Sequence, residues 1–231
     1  PVETAQKKQT QFIASASHEL RTPLAVVRSG LESVEKCSNE EERNHFLHLM
    51  SEETVHMKRL IDDMLLLANS DADTLTIKPE ACQPDLLLLD TYEKFEPLAK
   101  KNGLHLILTL PEEILPDCFC DIHRTEQIFS IIVDNALCYT PSGGKVTLSC
   151  HAENEMLCFL FEDTGCGISE EKKSHIFERF YRADDAHTDR EHFGLGLCIA
   201  KELTEKQNGN IQVVDAPISG SCFMVQLPCA L

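Results

Sequence analysis

From about Gln6 to Ser70 the apolar residues recur at spacings of three and four, the period of one face of an α-helix, and they do so twice. The first stretch carries Phe12, Ile13, Leu20, Leu24, Val27 and Leu31 and runs to about Lys36. Ser38-Asn39-Glu40 is a short polar break that supplies an N-cap. The second stripe follows with Phe46, Leu49, Met50, Met57, Leu60, Ile61, Met64, Leu65 and Ala68. Two long helices joined by a short turn form an antiparallel hairpin, and two narrow apolar stripes cannot enclose a core. Pairing with a second copy into a four-helix bundle is the economical solution, so a homodimer is expected. Pro23 stands inside the first helix, where it removes the N–H that would bond the Glu19 carbonyl, and a bend is expected beside His18.

Around Asp71 and Asp73 the pattern changes, as at a hinge. Thr74–Ile77 ("TLTI") reads as a strand, Leu86 to Lys101 as a helix, and "LHLILTL" and "CFCDI" as strands. Ile122 to Tyr139 reads as a helix ended by "TPSGG"; strands follow in "KVTLSC" and "MLCFLFED", then a glycine-bearing loop and a helix opening at "GLGLCIAKEL". "NIQVVD" and "SCFMVQL" close the chain as a strand pair. The fold class is α+β: residues 1–72 form the helical hairpin and residues 73–231 an α/β sandwich with mostly antiparallel strands.

The formal charge of -17, from 38 acidic residues against 21 Lys plus Arg, opposes non-specific attraction to nucleic acid or anionic lipid. No apolar run approaches the roughly 20 residues of a membrane-spanning helix. The chain begins at Pro1 with no leader, which reads as a piece of something longer with an input domain upstream. The 11 cysteines lack a regular framework and read as reduced cytosolic thiols. Cys118, Cys120 and His123 are the tight Cys/His cluster, but alternation in "CFCDI" puts both thiols on one strand face, and no second pair follows at zinc spacing. They read as buried apolar thiols.

Several polar and glycine positions carry chemistry. Asp163, Gly165 and Gly167 in "EDTGCGIS" directly follow a strand, where glycine lets backbone approach a ligand and a buried carboxylate can accept from an exocyclic amine. Gly194 and Gly196 open a helix whose free N–H groups suit phosphate oxygens. Between them "IFERFYR" and the polar run Ala183 to His192 read as a mobile cover. Asn135, ahead of Tyr139 on the helix ending "NALCYTP", offers an amide oxygen suited to Mg²⁺.

The order of these elements, helix with Asn135, strand, "DTGCG", "FERFYR" and "GLGL", resembles the catalytic ATP-binding domain of sensor histidine kinases, a Bergerat-type sandwich. "SHELRTP", Ser17 to Pro23, resembles the dimerisation and phosphotransfer domain of the same family. The resemblance implies that His18 attacks the ATP γ-phosphate, that Glu19 is the general base, and that Thr22 orients water for dephosphorylating a response regulator. It implies Asn135 for Mg²⁺, Asp163 for the adenine amino group, Gly165 and Gly167 beside the base, and Gly194 and Gly196 at phosphate. Tyr139, Ile168, Phe177 and Leu195 would form walls or lid contacts, and Phe180 would be core packing. The implied cofactors are ATP and Mg²⁺. The implied partners are a response regulator receiver domain and a second copy of the chain. Direct nucleic acid is not expected, and membrane contact only through an N-terminal sensor region absent here. The implied place is the cytoplasmic side of an inner- or plasma-membrane sensor in a bacterium.

Five positions, in three places, depart from the family's pattern. Ile131 stands where the family usually has a second Asn, Cys138 where a Lys commonly faces the phosphates, and Glu191, His192 and Phe193 replace a glycine-rich approach to "GLGL". Two other readings are weighed against them, the first disfavoured by Ile131 and the second kept open by Ile131 and Cys138. A free-standing ATPase of the gyrase and chaperone group would need a Glu where Ile131 stands. An ATP-binding dimeric scaffold, retaining phosphatase activity through Thr22, needs no transfer to His18.

Overall fold

The computed structural model describes residues 2–182, 193–216 and 219–230, with side chains from residue 10 onward. In chain order the elements are α1 (Val2–Lys36), α2 (Glu40–Asp71), β1 (Glu80–Cys82), α3 (Pro84–Lys101), β2 (His105–Thr109), β3 (Cys118–Cys120), α4 (Ile122–Tyr139), β4 (Lys145–Glu153), β5 (Met156–Asp163), α5 (Glu170–Lys173), α6 (Gly196–Glu205), β6 (Asn210–Asp215) and β7 (Ser221–Pro228). They fall into two compact units. One comprises Pro1–Asp73 with Arg179–Leu195, the other Thr74–Glu178 with Gly196–Leu231. Among the described residues no helix is long and apolar enough to cross a membrane.

In the first unit α1 and α2 pack as a hairpin. Asn39 caps α2 by accepting from the Glu41 N–H at 2.9 Å, and Glu40, Glu41 and Glu42 place negative charge in the first turn, where the helix dipole favours it. Small residues make the close approach of α1 possible. Ala16, Pro23 and Gly30, seven positions apart, are buried, and Gly30 lies against Met50. Three of the six apolar residues expected to form the stripe of α1 point the other way: Ile13, Leu24 and Leu31 are each more than half exposed in the single chain, while Phe12, Leu20 and Val27 are half-buried. On α2 the buried set is Met50, Leu60, Leu66, Leu67 and Ser70, while Ile61 and Leu65 stay outward. Helix α1 continues through Pro23 without interruption.

The second unit holds a five-stranded sheet in the order β2-β4-β5-β7-β6, with β2 parallel to β4 and the other pairs antiparallel. Helices α3, α4 and α6 pack on it and on one another. Phe129 of α4 meets Phe159 and Phe161 of β5 at ring-centroid distances of 4.8 and 5.0 Å, and all three are fully buried. Burying one such ring contributes about 2–3 kcal/mol. Asn154 and Glu155 both have positive φ, 51° and 64°, giving the tight hairpin turn between β4 and β5. The chain is thus α+β.

One strand differs from the sequence expectation. Thr74–Ile77 is irregular, and the strand forms instead at Glu80–Cys82, pairing antiparallel with β3 in a separate two-stranded sheet. Lys78 decides the register: its N–H donates to Asp121 Oδ2 at 2.9 Å, which fixes the chain just before β1. The alternation of "TLTI" satisfies local propensity, but it finds no neighbouring edge to pair with.

Candidate active site

In the second unit the end of β5, the end of α4 and the start of α6 converge. Asp163 is 4% exposed. Its Oδ1 accepts the Gly165 N–H at 2.7 Å, and the Ser221 N–H also bonds the carboxyl. Burial pushes this carboxyl above its ordinary range, and the two N–H donors draw it part of the way back. The surrounding backbone is too close for side chains. A Cβ on Gly165 would lie 2.5 Å from the Tyr139 carbonyl oxygen, so this glycine joins the end of β5 to the end of α4.

Helix α4 ends at Tyr139, where Thr140 turns to extended backbone and both its N–H and its Oγ–H donate to the Ala136 carbonyl, the latter at 2.6 Å. Ile131, Asn135 and Tyr139 succeed one another at one-turn intervals on one face of α4. Asn135 is half-buried and Tyr139 exposed. Ile131 Cγ2 would lie 3.1 Å from a Cβ on Gly196, so the N-terminus of α6 meets this same face. Phe177 crosses Phe223 edge-on at 6.5 Å with Lys201 Nζ above its ring, and Ile168 is half-buried.

These residues suit a nucleotide. A buried carboxylate can bond an amine edge, close-packed glycine backbone can lie beside a base, and the α6 terminus can meet phosphate. The Asn135 amide oxygen suits Mg²⁺, whereas Ile131 one turn earlier offers no donor atom.

The first unit holds the other group of expected residues. His18 and Thr22 are exposed on α1, one turn apart, and Glu19 is half-buried beside them. Gly194 and Leu195 also belong to this unit. Gly194 has φ +72°, and its carbonyl accepts the Phe180 N–H at 2.9 Å. Phe180, expected as core packing, is half-buried outside any helix: φ is +61° and its ring meets that of Phe12 at a tilt, 5.6 Å between centroids. Arg179 holds Asp71 by donating from both terminal guanidinium nitrogens, Nη2 at 2.7 Å and Nη1 at 2.8 Å. The expected cover, Ala183 to His192, lies outside the described residues.

Gly220 is a site residue that sequence reading missed. With φ +91° its α-carbon packs on the Asp163 backbone. The available signal was a glycine between two serines just before a strand. The Cys118 and Cys120 thiols are both buried as alternation predicted, but His123 is exposed and pairs with Glu126 at 3.5 Å. The third member of that cluster is Cys82.

The helical hairpin and the α/β sandwich with its glycine-lined carboxylate each match a known domain. Residues 8–73 match the His Kinase A (phospho-acceptor) domain. Residues 120–231 match the family described as Histidine kinase-, DNA gyrase B-, and HSP90-like ATPase. Sensor histidine kinase RppB of Synechocystis is 33% identical over 232 residues, 99% of this chain and 51% of RppB. The chain therefore spans about half the length of that curated relative. The crystal structure of full-length ShkA in complex with AMPPNP shares 27% identity with a TM-score of 0.73, over 96% of this chain and 46% of ShkA. The structure of histidine kinase ThkA in complex with response regulator protein TrrA has a TM-score of 0.76 at 18% identity, over 99% of this chain and 66% of that one, and shows the shared fold. The chain belongs to the sensor histidine kinase family of two-component systems.

Proposed function

We propose that this chain is the catalytic core of a sensor kinase that phosphorylates its own His18 from ATP and passes the phosphoryl group to an aspartate of a receiver domain. The observation that carries the reading is the buried Asp163 carboxylate, fixed by Gly165 and backed by Gly220, in a chain that also presents His18 and Glu19 on α1.

Asp163 accepts from the adenine amino group, while Gly165 and Gly167 let backbone lie beside the base. Tyr139, Ile168 and Phe177 wall the site, and Leu195 closes on it. Gly194 and Gly196 give their N–H groups to phosphate. Asn135 holds Mg²⁺, which offsets phosphate charge. Glu19 holds the Nδ1–H of the His18 ring, so Nε2 keeps its lone pair and the positive charge growing on the ring is compensated. The new N–P bond forms as the bond to the β-phosphate oxygen breaks, and that electron pair leaves with ADP. Transfer to a receiver aspartate then breaks the N–P bond and forms an O–P bond. Thr22 orients water for the reverse function, hydrolysis of the phosphorylated regulator.

Residues 1–72 serve as the dimerisation and phosphotransfer domain and residues 73–231 as the catalytic domain. The outward Ile13, Leu24, Leu31, Ile61 and Leu65 support dimerisation, because a second hairpin would bury them. The AMPPNP bound to ShkA and the TrrA bound to ThkA support nucleotide and regulator as ligands. In the full-length protein this core lies on the cytoplasmic side of a bacterial membrane.

Incubation with labelled ATP and Mg²⁺ tests the proposal. Label that is acid-labile, base-stable and absent from His18→Gln supports the kinase. Nucleotide binding with no label supports the second reading, a dimeric scaffold and phosphatase, which Ile131 and Cys138 favour by leaving the α4 face without a second amide or a lysine.

A further inference from the structure

Outside the nucleotide site, the second unit concentrates sulfur at one point. Cys82 on β1 and Cys118 and Cys120 on β3 bring three Sγ atoms within 4.8 Å of one another. Cys82 Sγ lies 3.4 Å from Cys120 Sγ and 3.5 Å from the Cys118 carbonyl oxygen. The strand register explains the convergence. Cys82 stands directly across from Cys118 and Glu80 across from Cys120, so all three cysteines share one face of the two-stranded sheet. Phe119, between the two β3 thiols, points outward at 44% exposure. Cys118 and Cys120 are fully buried and Cys82 is half-buried, leaving one open side.

From this geometry we infer that Cys82, Cys118 and Cys120 form a three-thiolate site for one soft d¹⁰ cation, Zn²⁺ or Cu⁺. Metal–sulfur bonds of about 2.3 Å place three sulfurs around one ion about 4 Å apart, inside the 4.8 Å that bounds this trio. Thiolates select soft cations over Mg²⁺ or Ca²⁺. The frame is held in place beforehand. Asp121, next to Cys120, accepts from the Lys78 and Arg124 N–H groups at 2.9 and 3.1 Å, and its own N–H donates to Gln207 Oε1 at 2.7 Å. At the other end of β3, the Cys118 backbone pairs with that of Cys229 as an isolated antiparallel β-bridge, both thiols staying free, and the Ala230 N–H donates to the Asp117 carbonyl oxygen at 2.7 Å.

A Cys82–Cys120 disulfide fits less well. The two are diagonal rather than opposed across the strand pair, which sets their Cβ atoms roughly 7 Å apart, against the roughly 3.8 Å that a disulfide spans. It would also leave the third sulfur without a role. Coordination instead uses all three, each thiol giving its proton to solvent as its sulfur lone pair binds the ion, so up to three protons leave per ion bound. The occupied site would tie β1 to β3 at the N-terminal end of α4, the helix that carries Asn135.

The test uses the whole chain, reduced and stripped with a chelator, titrated anaerobically with Zn²⁺ and separately with Cu⁺ against a chromophoric competitor, with proton release recorded. One equivalent of at least one ion is expected, with thiolate charge-transfer absorption for Cu⁺. The half-buried Cys82→Ser is the variant least exposed to misfolding, and circular dichroism checks its fold. It should bind at least about tenfold more weakly. Cys37→Ser, whose thiol contacts Glu42 at 3.7 Å in the hairpin, should bind as the parent does. Absence of stoichiometric binding of either ion overturns the inference, as does undiminished binding by folded Cys82→Ser. A chain that binds neither ion yet gives a mapped Cys82–Cys120 disulfide in air would overturn it in favour of a redox pair.

Discussion

Gly220 packs its α-carbon onto the backbone of Asp163: a Cβ there would fall 2.1 Å from the Asp163 carbonyl oxygen and 2.7 Å from its Oδ1. The φ of +91° adds conformational cost for any L side chain. Gly220→Ala should lower unfolding stability by at least about 2 kcal/mol and weaken AMPPNP binding, because Asp163 has to move. Gly143→Ala separates strain from collision, since φ is +86° there but a Cβ would meet no atom beyond its chain neighbours within 4 Å. That variant should lose only about 1 kcal/mol and keep its nucleotide affinity. Urea midpoints and calorimetry on both variants read the difference; equal losses would mean that contact with Asp163 is irrelevant.

Asp163 is held at a cost in stability that the proposed contact with the adenine amino group would explain. Burial raises its carboxyl in the folded state above the unfolded value. For a raised group the stabilising contribution is complete below the unfolded value and is lost as pH rises through the folded one. Asp163→Asn removes that titration. The variant should therefore gain stability relative to the parent as pH climbs through the window just above the ordinary carboxylate range, while losing nucleotide affinity. Parallel stability-against-pH curves for the two proteins would refute the assignment of that slope to Asp163.

What could be read from the chain alone follows the strength of local signals. Helix α4 shows its ends at Asp121, which caps it by accepting from the Arg124 N–H at 3.1 Å, and at the proline and glycines after Thr140. The hairpin turn is equally plain at Asn39. Strand β1 has three residues and no alternation to mark it, and its existence depends on an edge supplied by residues 118–120. For the same reason Cys82 could not be joined to Cys118 and Cys120 by spacing: the contact spans 36 and 38 positions. His123 was nearer in sequence, but α4 carries it to solvent. The positive φ of Phe180 has no residue-level signature, because aromatic side chains are rare in that conformation.

The α1–α2 seam makes a further test. A Cβ on Gly30 would stand 2.7 Å from Met50 Cγ and 2.9 Å from Sδ. Gly30→Leu should destabilise the hairpin by about 1–3 kcal/mol through overpacking, despite leucine's better helix propensity. Met50→Ala vacates the contested space. In the double variant the two losses should fall short of additivity by at least about 0.5 kcal/mol. Strict additivity in denaturation would show that the helices do not meet at this pair.

Ile131 allows the catalytic reading to be strengthened rather than broken. It lies one turn before Asn135 on the same face of α4 and touches the position where Gly196 opens α6. Its side chain supplies no acceptor, so one turn of the proposed Mg²⁺–phosphate face is apolar. Ile131→Asn places a second amide there. Loss of the half-buried butyl group should cost about 1–2 kcal/mol of stability, yet affinity for AMPPNP should rise several-fold when Mg²⁺ is present. The gain should vanish in excess chelator, because an added amide oxygen benefits the metal rather than the base. Calorimetric titrations with and without Mg²⁺ decide it. An equal change in both media, or none, would place Ile131 outside the cation's reach and move the Asn135 assignment into doubt with it.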